Sequence, residues 1–199
     1  MENTEKEFSP EESLRIISAM IETTKNSIRD KSHYFLLWGW AVLLACIAQF
    51  YLRNIAHYHA HYLVWWITPF VLMIHIFWIV RERKKEKVKT FIDEASNYLW
   101  TALGLSFFVL SFINTRAGWE YSYSSYMMLY GIGTYVSGSL IKFKPLIWGG
   151  LLCFPITILS TLLGADYQIL LLALAILVSY LIPGYLLRAK FRKGNLHAE

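Results

Sequence analysis

The sequence predicts an all-α, polytopic membrane protein, with six transmembrane helices preceded by a cytosolic amphipathic helix. Three observations lead there. The chain of 199 residues is 56% hydrophobic and 17% aromatic, with mean hydropathy +0.38, above the roughly 45–50% apolar content of a soluble domain. The excess is gathered into six runs of roughly 16–21 residues, and a helix rising about 1.5 Å per residue needs around 20 to cross about 30 Å of hydrocarbon. The third observation is charge. Arg81 to Lys89 carries six basic and two acidic residues between two apolar runs. Such a block stays cytoplasmic, because carrying each Lys or Arg through the bilayer centre costs at least about 2.5–3.5 kcal/mol.

Placing that block inside fixes the side of every other connection. Seventeen of the 19 lysines and arginines then fall inside, and only Arg53 and Arg116 fall outside. Both termini are inside, which requires an even number of spans. The predicted location is a membrane, with the basic connections on its cytoplasmic side. A pI near 9.1 also suits nucleic-acid binding. However, the basic residues follow topology rather than one face, so no nucleic-acid partner is expected. Cys46 and Cys153 both lie in apolar runs and read as packing residues rather than a disulfide. The first 33 residues are polar and charged, so no secretory signal is expected there.

Residues 1-33 form the predicted cytosolic segment. Ser9-Pro10-Glu11-Glu12 is a helix start, with Ser9 as cap, Pro10 in the first helical position and Glu12 three residues after the cap. The helix that follows aligns Leu14, Ile17, Ile21, Thr24 and Ile28 as a narrow apolar stripe opposite Glu12, Arg15, Glu22, Lys25 and Arg29. Such a face lies on the membrane or its own bundle, or docks a partner through Leu14, Ile17, Ile21 and Ile28.

Residues 34-187 form the predicted transmembrane domain. The first span, about 34–52, begins and ends with interfacial aromatics. The second, about 61–80, contains Pro69, where a kink is expected. Residues 88–97 lead into a short third span, about 98–113. The fourth, about 121–141, is the most polar. Its Gly131, Gly133, Thr134, Ser137 and Gly138 give small-xxx-small spacing, which lets helix backbones approach closely. It is expected at the bundle centre. Pro145 opens the fifth span after the tight Lys142-Phe143-Lys144 turn, and the sixth runs over about 168–187. A basic tail, 188-199, is cytosolic.

Chemistry is sparse. His57, His59 and His61 lie at an outer edge, and imidazoles four apart on a helix are able to share a metal. With no neighbouring carboxylate or thiol, no metal or other cofactor is expected. His75 lies inside a span, where an ionisable group is a functional candidate, although Ser, Thr or Tyr on a neighbouring helix would also satisfy it. Val136-Ser137-Gly138 is close to an intramembrane serine-protease motif, but Tyr135 replaces its first glycine and the last two spans hold no histidine base. The spans contain no charged residue away from their ends, unlike most transporters.

Leu36-Leu37-Trp38-Gly39-Trp40, the Gly131–Gly138 segment running into Lys142-Phe143-Lys144-Pro145, and Ile182-Pro183-Gly184-Tyr185-Leu186-Leu187 together resemble an uncharacterised family of small six-span bacterial inner-membrane proteins. The resemblance implies work beside a cytosolic transcription regulator. From the residues, the leading expectation is a non-enzymatic regulatory or scaffolding component. It would present the 9–30 helix and the 81–97 loop to a cytosolic protein partner. The alternative is a homo-oligomeric small-solute transporter or channel packed through Gly133 and Ser137. A third is a membrane enzyme using His75 or Ser137.

Overall fold

The computed structural model describes residues 9–83 and 91–196; between residues 10 and 31 it describes the backbone and only part of the side chains. All secondary structure among the described residues is helical: α1 Pro10–Asn54, a 3₁₀ segment His61–Trp66, α2 Ile67–Arg83, α3 Phe91–Ala117, α4 Ser122–Leu140, α5 Lys144–Thr161, α6 Ala165–Ile176, a π-turn Leu177–Leu181 and α7 Ile182–Leu196. Five segments among the described residues are long and apolar enough to cross a membrane: Ser32–Asn54, His61–Glu82, Phe91–Ala117, Lys144–Thr161 and Ala165–Arg192. The sequence predicts six. The one that falls short is α4, whose tyrosines, serines and glycines lower its hydropathy, although its 19 residues include no charged group.

The largest departure from expectation is α1. A separate amphipathic helix and a first span were expected to meet near residue 33. Instead one 45-residue helix runs through both. Neither Pro nor Gly occurs between Glu11 and Trp38, so nothing in the backbone chemistry stops propagation once the Ser9 cap is made. That cap forms as its residues require, with the Glu12 N–H donating to Ser9 Oγ at 3.2 Å.

Prolines produce two further differences. Pro69 lies in the first turn of α2, after the 3₁₀ segment, where its missing N–H has no partner to lose. It helps start a helix rather than kink one. Pro183 follows the π-turn. Its ring would clash with the Ser179 carbonyl in a regular helix, and widening the turn relieves that clash. The polar stretch expected to lead helically into the third span does so from Phe91, and lead and span form one 27-residue helix.

The bundle is built on close backbone contacts. The most extensive is between α4 and α5. A Cβ on Gly131 would lie 2.9 Å from Cys153 Cβ, one on Gly138 2.7 Å from the Ile147 nitrogen, and one on Gly150 inside the backbone of Tyr135. In turn α5 rests on the π-turn: a Cβ on Gly149 would lie 2.7 Å from the Val178 carbonyl oxygen. The contacts of α1 with the π-turn and α7 work the same way, with Gly39 under Leu181 and Gly184 under Leu36. Without a hydrophobic drive between helices in lipid, such dispersion contacts are what hold them together. The fully buried core comprises Val42, Cys46, Met127, Leu146, Cys153, Ile169 and Ile176. The α2 helix rests on α1 and the 3₁₀ segment, and α3 chiefly on α4. Both turn most of their apolar side chains outward.

Candidate functional site

The densest polar and aromatic cluster lies where α1 leaves the bundle. Consecutive residues His33 and Tyr34 face Glu82, at the end of α2. His33 Nε2 is 3.1 Å from Oε1, and the Tyr34 hydroxyl donates to Oε2 at 2.7 Å. One turn further along α1, the Trp38 indole N–H donates to His75 Nδ1 at 3.1 Å. An indole nitrogen only donates, so His75 Nδ1 carries no proton. The rings interlock as well: Tyr34 lies 4.5 Å from His75, and Trp78 is edge-on to His33 at 5.2 Å. Six side chains thus fasten α2 to α1 over the two turns that end at the basic block. The hydrogen bond to the Glu82 carboxylate is worth about 1.5–3 kcal/mol. The half-exposed His33 pair is worth at most about 1 kcal/mol.

His75 is therefore satisfied, and by tryptophan rather than by the expected Ser, Thr or Tyr. Tryptophan spacing in the sequence reads as an interfacial belt, which hides this donor role. Residues 84–90 of the basic block lie outside the described residues, as do the side chains of Ile17, Ile21 and Ile28. Leu14 and Ile16 are described and exposed, at 64% and 41%.

The outer histidines do not assemble as a metal site. An i, i+4 pair needs a helix, but residues 55–60 form a turn in which His57 is left-handed, at φ 48°. His57 and His59 are exposed. His61 instead turns inward to Gln49, 3.2 Å away. No group of three metal-ligand side chains occurs among the described residues. What forms at this end is a structural network that single-residue patterns do not reveal. Gln49, 1% exposed, accepts from Trp65 at 2.6 Å and donates to the Tyr123 hydroxyl at 2.6 Å. Beside it Arg53 pairs with Asp166 at 2.7 Å, joining α1 to α6.

Gly131, Gly133, Thr134, Ser137 and Gly138 are all buried. A Cβ on Gly133 would lie 2.7 Å from Leu103 and 3.3 Å from Trp100. Gly133 is thus covered by α3 of the same chain. Ser137 Oγ is buried and makes no hydrogen bond among the described residues. An open apolar groove of about 410 Å³ between α3 and α4, lined by residues such as Leu105, Val109 and Met128, has the character of lipid-facing surface.

No family model, no curated protein and no solved structure matches the chain. Its function must be argued from its geometry.

Proposed function

We propose that this is a non-catalytic bacterial inner-membrane component with six spans and both termini cytoplasmic. It holds out the N-terminal half of α1 to a cytosolic protein partner and couples that half to the bundle at the His33–Glu82 junction. The observation that carries this reading is the continuity of α1. From Pro10 the helix runs unbroken to Asn54. The 22 residues before Ser32 extend about 33 Å beyond the first membrane-crossing segment, at about 1.5 Å per residue. A rigid rod transmits displacement where a flexible tether would absorb it. Exposed Leu14 and Ile16 give its tip apolar surface to bury.

Six spans are supported by the segregation of 17 of 19 basic residues, which fails if α4 does not cross. The polar composition of α4 is compatible with crossing because four of its five serines bond within the protein. Ser124 meets Ser160 at 2.6 Å, and Ser139 donates to the Tyr135 carbonyl at 2.9 Å.

A photo-crosslinking residue at position 14, compared with one at lipid-exposed Trp148, tests the proposal. The expected result is a protein adduct from native membranes at position 14 only, and none in a chain lacking residues 9–30 when the same partner is probed by co-purification. A protein recovered alone in every condition would overturn it.

A further inference from the structure

We propose that the turn between α4 and α5, together with α7, forms a binding site for the headgroup of an anionic phospholipid. The first observation is strain. α4 ends in a Schellman motif: the Phe143 N–H donates to the Gly138 carbonyl at 2.9 Å, and the Lys142 N–H to that of Ser139 at 3.2 Å. The residue between them adopts φ 52°, a left-handed conformation in which glycine is the unstrained choice. The chain places lysine there. Strain retained at a tight turn is a pointer to use.

The second observation is the surroundings of that lysine. Lys142 and Lys144 flank Phe143 and are both exposed, while the Phe143 ring is buried beneath them. Lys190 of α7 reaches across, with Nζ 5.5 Å from the centre of the same ring, a cation–π distance. One ammonium thus lies over the anchored ring, and two more exposed lysines adjoin it in the chain. No ion pair to any of the three occurs among the described residues. From Ser122 to Leu196 the only carboxylate is Asp166. It lies at the opposite end of α5, about 27 Å away by helix rise, and is paired with Arg53.

This cluster sits at the end of two membrane-crossing segments, Lys144–Thr161 and Ala165–Arg192, so lipid headgroups are the anions at its own depth. Basic clusters at that position attract anionic lipid, with each charge worth about a fivefold change in affinity.

The test is native mass spectrometry of the full chain in detergent, titrated with phosphatidylglycerol or phosphatidylcholine. Phosphatidylglycerol should be retained preferentially, with about fivefold loss for each of Lys142→Gly, Lys144→Gln and Lys190→Gln, and no loss for Arg53→Gln at the far end. Lys142→Gly separates binding from folding, because it relieves the strained turn. Its melting temperature should be equal or higher while its lipid retention falls. Equal retention of both lipids, full retention by the triple variant, or displacement by millimolar inorganic phosphate would overturn the proposal.

Discussion

At Gly138 and Gly150 a single methyl group decides whether α4 and α5 can touch. The atoms that a new Cβ would meet are backbone, which cannot swing aside. Gly138→Ala and Gly150→Ala should each destabilise the protein by about 1–3 kcal/mol, read as a lower melting temperature in detergent. Gly104→Ala is the internal control. Nothing lies within 4 Å of its added Cβ, so removing a flexible residue from α3 should be neutral or stabilise by up to about 1 kcal/mol. Gln49→Ala strands the Trp65 and Tyr123 groups at a buried site and should cost about 1–3 kcal/mol in the same assay. The close approach at Gly138 was legible from small-xxx-small spacing in α4, whereas that at Gly150 in α5 was not. The partners of Gln49 and His75 were not, because nothing local in a chain tells Gln49 that Tyr123 lies 74 residues away.

Among the helices, apolar run length picked out the five described segments that are long and apolar enough to cross a membrane. It located helix ends poorly. Helices do not stop where hydrophobicity stops; they stop at caps, at glycine and at proline. Hence α1 runs past the boundary predicted near residue 33, and Pro69 marks a start. Pro183, lying within the predicted sixth span, instead follows a widened turn. The α2 helix is the least anchored, and Glu82 holds its inner end with two contacts. Glu82→Ala should therefore raise amide hydrogen exchange across residues 76–83 by about tenfold or more, given a loss of about 1.5–3 kcal/mol. Exchange in α5 should not change. Equal protection in both proteins would show that the aromatic contacts alone fix α2.

For the molecule as a whole, sidedness follows from whether α4 crosses. Cys46 and Cys153 are both fully buried, so the parent chain gives a low background with a membrane-impermeant maleimide. Single cysteines at Leu14, Lys142 and Arg188 should label from the cytoplasmic side, and one at Glu120 from the opposite side. The all-helical class and the close packing of α4 were legible before any coordinates, whereas five described segments, not six, are long and apolar enough to cross a membrane. The continuous helical link between the N-terminal stripe and the first span was not legible, because an amphipathic pattern specifies a face but not whether the helix beneath it continues. That link is also the central claim, and one distance tests it. Spin labels at exposed Leu14 and Trp40, in protein reconstituted in bilayers, should lie about 39 Å apart with a narrow distribution, as 26 steps of about 1.5 Å require. A distribution that is broad, or centred below about 25 Å, would mean that the N-terminal half folds back or swings freely, and the rigid-arm account would be contradicted.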